Sequence, residues 1–98
     1  MQTHEEIRDA ISRIVEARQR AAAASAYDRK VCILAVATAA AAVERIPVSG
    51  TPQDYLATVV ATLLALRDSY YDPDGEYTSG VSDIGSVYEL VRDLQTAP

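Results

Sequence analysis

Two side chains in this chain come closest to nucleophilic or proton-transfer chemistry at neutral pH, His4 and Cys32, and each residue type occurs once. His4 stands in the first turn of the chain, well apart in sequence from Cys32. A reactive thiol needs an accessible, electropositive setting. Arg29 and Lys30 come just before Cys32, but the cysteine sits inside the uncharged run VCILAVATAAAAV, residues 31–43. The expected role for Cys32 is therefore a buried small hydrophobe, and no enzymatic activity is expected. The chain also lacks a glycine-rich phosphate loop, a zinc-ligand spacing and a histidine-based metal site.

The carboxylates of residues 72–83 raise the question of calcium. With Gly75 at the sixth position of a twelve-residue EF-type loop, the first and last ligand positions fall on Tyr70 and Val81. Starting at Asp72 instead places Asp72, Asp74, Glu76, Thr78 and Asp83 at ligand positions, but it puts Tyr77 where the sharp turn requires glycine. Neither register makes a proper site, so neither a metal nor a cofactor is expected.

The same stretch is better suited to recognising a protein. All six aromatic residues are tyrosines, and three of them lie in Tyr70-Tyr71-Asp72-Pro73-Asp74-Gly75-Glu76-Tyr77. Tyrosine offers a large, rigid, amphipathic contact at low entropic cost, and carboxylates on a turn can receive arginine or lysine. The candidate partner-binding set is Tyr70, Tyr71, Asp72, Asp74, Glu76, Tyr77 and Asp83. The bland alternative is that Tyr70 and Tyr71 finish the core with their hydroxyls in water and the acids only solubilise a loop.

Charge points the same way. The net charge is −5, and it is unevenly spread. Residues 1–50 carry seven Lys/Arg against six Asp/Glu, whereas residues 51–98 carry two against eight. An acidic half is unsuited to phosphate backbones, so nucleic acid is not an expected ligand. It is compatible with a basic protein partner, because opposite potentials steer encounter.

A tyrosine pair, an acidic proline–glycine turn and a following helix resemble the partner-binding segment of colicin-type nuclease immunity proteins, over roughly Asp68 to Val87. Those are small, acidic four-helix domains that bind and inhibit a basic nuclease. Asp72 here separates the tyrosine pair from Pro73, whereas the family has proline directly after the pair. The long third helix and the alanine-rich second helix also depart from that family. The resemblance implies a non-catalytic inhibitor- or immunity-like function.

The elements that must carry these residues read as helices. Thr3-His4-Glu5-Glu6 is a capping box, and Ile7, Ile11, Ile14 and Val15 follow at helical spacing. Asp9–Arg13 and Glu16–Arg20 are i,i+4 pairs in the favourable order. Arg18 falls within the apolar stripe, either snorkelling past the core edge or forming a partly buried ion pair or an interface contact. Ser25 offers a cap for a second helix, with the break near residues 23–26; the competitor is one helix of some 40 residues. The run 31–43 is apolar all round, which requires enclosure, and it falls short of the ~20 residues a bilayer needs. Pro47-Val48-Ser49-Gly50 ends it, and Thr51 caps a third helix with Pro52 at its first position. The back face of that helix carries Ala57, Ala61 and Ala65, and no charge occurs between Tyr55 and Leu66. Asp72-Pro73-Asp74-Gly75 is a turn signature, and Ser82 offers a cap for a last helix with the stripe Ile84, Val87, Tyr88, Val91 and Leu94.

The expected fold is all-α. It is a single domain over residues 1–98, a four-helix antiparallel bundle with helices at about 3–24, 26–45, 52–71 and 82–95 and the second helix central. With one cysteine and a polar, acidic N-terminus, the expectation is a reduced, cytoplasmic protein with no membrane segment. The expected function is a small acidic module that binds a basic protein. The alternative is a homo-oligomeric structural or assembly subunit, because two nearly uncharged helices are hard to cover within one short chain. Its seam would be Ala57, Ala61 and Ala65.

Overall fold

A computed structural model describes residues 2–71 and 80–96. Four helices follow in order: α1 (His4–Ala23), α2 (Arg29–Glu44), α3 (Pro52–Asp68) and α4 (Val81–Asp93), and a 3-10 turn, Leu94–Thr96, closes the described chain. The architecture is the expected all-α four-helix bundle. The buried side chains Ile7, Ile11, Val15, Val36, Ala39, Tyr55, Leu56, Val59, Leu63, Val87, Tyr88 and Val91 form one core between the helices.

Both expected capping boxes are in place. The Glu6 amide donates to Thr3 Oγ1 at 3.1 Å and the Thr3 amide donates to Glu6 Oε1 at 3.4 Å. At α3 the Asp54 amide donates to Thr51 Oγ1 at 3.1 Å, and the Thr51 amide donates to Asp54 Oδ2 at 3.2 Å. Each box satisfies two amides that a helix start leaves orphaned. The exposed pairs Asp9–Arg13 and Glu16–Arg20 do not close into ion pairs, consistent with how little such pairs gain in water.

The break between α1 and α2 falls at residues 24–28, so one continuous helix is ruled out, but Ser25 does not cap α2. Its hydroxyl donates to the Tyr27 carbonyl at 2.7 Å and accepts from the Tyr27 amide at 3.2 Å. That local turn leaves the hydroxyl nothing to give the helix. Asp28 takes the cap position in the left-handed region, φ 50°, ψ 39°, and is the one non-glycine residue with positive φ among the described residues. Aspartate tolerates that conformation better than most residues.

α4 likewise starts without its expected Ser82 cap. Its first residue is Val81, behind Gly80 at φ 94°. A Cβ on Gly80 would lie 2.8 Å from the Ala35 Cβ. Glycine is therefore needed twice here, for the backbone angle and for the close approach of α2.

The second helix touches all three of the others, as does each helix of the bundle, so contact alone does not single it out as central. Within the single chain, however, its enclosure is one-sided. Only Ala35, Val36 and Ala39 of α2 are buried, while Val31, Ile33 and Leu34 are 39%, 43% and 65% exposed. The inner face combines Val36 with Ala35 and Ala39, whose small side chains let neighbouring backbones come close, while Val31, Ile33 and Leu34 turn outward. The most deeply enclosed helix is α4, which buries Val81, Asp83, Ile84, Val87, Tyr88 and Val91. Among the described residues no helix is long and apolar enough to cross a membrane.

Candidate functional site

The ends of three helices meet around an open cleft of about 600 Å³. The turn before α2 and its first residues supply Tyr27, Asp28 and Cys32, the end of α3 supplies Arg67 and Tyr71, and α4 supplies Gly80 to Ser82, Gly85, Ser86 and Glu89. Tyr27 is 80% exposed because the Ser25 turn holds it away from the bundle. Tyr71 lies just past α3, where its amide donates to the Asp68 carbonyl at 3.3 Å.

A partly buried ion pair ties this end of the molecule together. Arg18 Nη2 and Nε lie 2.8 and 2.9 Å from Asp83 Oδ1. Asp83 is only 2% exposed. Arg18 keeps part of its side chain in water, which lowers the desolvation cost that a fully buried pair would carry. The arginine in the first helix's apolar stripe is thus a partly buried ion-pair partner. Asp83 faces inward and belongs to the fold's own pair, which removes it from any partner-facing surface.

The half-buried Cys32 thiol lies beside the same carboxylate. Hydrogen bonding to Asp83 comes first, then burial and the nearby negative charge, in pushing the thiol up from its ordinary 9.0. A thiol held protonated is a poor nucleophile.

Arg67 is the cleft's cationic side chain. Its guanidinium carbon stands 5.1 Å from the Tyr88 ring centroid, and its Nη2 lies 3.3 Å from Asp68 Oδ1. Its Nε is buried without a hydrogen-bond partner. Arg92 also lies over the Tyr88 ring, at 5.5 Å. His4 takes no part in the cleft: its ring packs 6.2 Å from that of Tyr55, with Nε2 buried and unpaired. No three metal-ligating side chains converge among the described residues.

Of the sequence-derived partner set, Tyr70 and Tyr71 are half-buried. Tyr71 forms part of the cleft wall, and the Tyr70 ring passes close to Gly80. Asp72, Asp74, Glu76 and Tyr77 lie outside the described residues. Ala57, Ala61 and Ala65 are all exposed on the outer face of α3. Sequence reasoning passed over Tyr27, Asp28 and Glu89. The available signal was the Tyr27-Asp28 pair, a second tyrosine–carboxylate step placed at a helix junction.

No family model matches the chain, and neither a curated protein nor a solved structure matches it.

Proposed function

We propose that this protein is a small, non-catalytic protein-binding module that engages a basic partner at the tyrosine- and carboxylate-rimmed end of the bundle, as an inhibitor or immunity-like protein would. The observation that carries this reading is the rim itself. Tyr27 stands 80% exposed beside Asp28, and Tyr71 and Glu89 line the same cleft. Exposed tyrosine next to carboxylate suits a lysine- or arginine-bearing surface. The segment 72–79, with its three further acids and Tyr77, joins two cleft-lining residues, Tyr71 and Gly80. Affinity capture with the wild-type chain and with a Tyr27→Ala/Glu89→Lys variant tests the reading. The expected result is a basic protein held by the wild type, released by salt and lost with the variant. Equal capture by a folded variant contradicts it.

A second reading, a homo-oligomeric subunit, draws support from the faces the bundle leaves uncovered. Ala57, Ala61 and Ala65 are exposed on α3, and Ile33, Leu34 and Ala37 are exposed on α2. Thr58 and Thr62 donate their hydroxyls to the carbonyls four residues back, at 3.1 and 2.8 Å. That makes the α3 face less polar than its composition suggests. Light scattering at high concentration separates the readings, since a strict monomer removes this one.

A further inference from the structure

The outer face of α2 has a pattern of its own. Lys30, Leu34, Ala37, Ala41 and Glu44 recur at spacings of four, three, four and three, with Ile33 alongside. All of these are exposed except Ala41, which is half-buried. The nearby Thr38 hydroxyl donates to the Leu34 carbonyl at 2.8 Å. The stripe is therefore apolar in the middle and charged only at its two ends, with opposite signs. A 3.5-residue repeat of this kind is the seam geometry of paired helices.

The ends of the stripe say what fits it. Lys30 and Glu44 each stand seven residues from Ala37, about 10.5 Å along the axis at a rise of ~1.5 Å per residue. Two copies laid antiparallel about a two-fold axis at Ala37 bring each Lys30 against Glu44 of the other copy. The same register seats Ile33 over Ala41 of the second copy, a large side chain on a small one. A parallel pairing would set Lys30 on Lys30. The α3 face fails the same test: Asp54 and Asp68 each lie seven residues from Ala61, so antiparallel pairing there opposes carboxylates.

We propose that the protein self-associates as an isologous dimer through α2, with antiparallel helices crossing at Ala37 and two symmetry-related Lys30–Glu44 ion pairs. This rests on the homo-oligomer reading and moves its seam from α3 to α2. A single helix face is smaller than the ~800 Å² per partner of a standard stable interface, which places the proposed dimer among weak, concentration-dependent associations.

Sedimentation of the full chain from about 1 µM to about 1 mM is expected to show a monomer–dimer equilibrium. Leu34→Asp changes an exposed side chain, so the helical circular dichroism stays and the dimer is lost. Lys30→Glu and Glu44→Lys each weaken association on the order of tenfold, and the double variant recovers to within a few-fold of wild type. Ala37→Cys in a Cys32→Ser background forms a disulfide-linked dimer under mild oxidation, and Ala61→Cys in that background does not. A wild type that stays monomeric throughout overturns both the dimer and the homo-oligomer reading. A dimer indifferent to Leu34→Asp but dissociated by Ala61→Arg overturns the α2 seam and leaves the oligomer reading standing. A charge swap that fails to recover overturns the antiparallel register.

Discussion

α2 and α4 look mismatched with their surroundings. α2 has no charge from Val31 to Val43, yet it exposes Leu34 and Ile33. α4 carries Asp83, Glu89, Arg92 and Asp93, yet it buries six of its residues, one of them an aspartate. The difference teaches that the absence of charge does not place a helix in the middle of a protein. Burial follows the face that its neighbours can match. α4 presents one stripe of branched side chains, Ile84, Val87 and Val91, which interlock with the core. α2 presents Ala35, Val36 and Ala39 inward, and Val31, Ile33 and Leu34 find no fifth layer to cover them.

The contrast is broken most severely by cutting into α4. Ile84 is fully buried, so Ile84→Ala should cost about 3–4 kcal/mol in denaturant unfolding. A loss below ~1 kcal/mol would mean that α4 is not the enclosed helix. Next comes the ion pair. Asp83→Ala leaves Arg18 without its partner in a partly wet position, and about 2–3 kcal/mol should be lost. Replacing both, Arg18→Met with Asp83→Leu, should recover part of that loss if desolvation sets the cost of the pair.

Gly80→Ala joins the two regions, because it presses a methyl group against Ala35 of α2 at a left-handed backbone angle. A loss of about 2 kcal/mol is expected. A neutral effect would show that α2 and the start of α4 are not in contact there.

These sites were unequally legible in the sequence. The stripes of α1 and α4 and the boxes at Thr3 and Thr51 are local patterns, and local physics decides them. Arg18 stood in an apolar stripe and so announced an inward position, but its partner Asp83 lies 65 positions away, a distance that helix periodicity does not bridge. Ser25 and Ser82 were reasonable caps; Asp28 and Gly80 displaced them because left-handed backbone angles depend on how the next helix packs. The exposed face of α2 was hidden for a different reason. In a run that is apolar all round, with alanines on every side, neither hydropathy nor side-chain size names the inner face. The cleft is built from three helix ends, and although Tyr71 and the Tyr27-Asp28 pair are visible locally, nothing in the sequence brings those ends together.

A smaller effect concerns Cys32. Because its pKa is raised in the folded state, the unfolded thiol ionises first as pH climbs above 9.0. The unfolded state then binds fewer protons, and stability falls with rising pH. Cys32→Ser should flatten the stability–pH slope above pH 9.0 relative to wild type, and alkylation at pH 8 should be slower in the folded protein than in denaturant. The smallest effect belongs to the outer face of α2. Leu34→Ala should change monomer stability by no more than about 0.5 kcal/mol, the counterpart of the large loss at Ile84.

Hydroxyl-radical footprinting of the dilute monomer compares the two helices in one experiment. Leu34 and Ile33 should be oxidised readily while Ile84 and Val87 stay protected. Protection of Leu34 equal to that of Ile84 at the lowest concentration would contradict a one-sided α2, and with it the open face on which self-association depends.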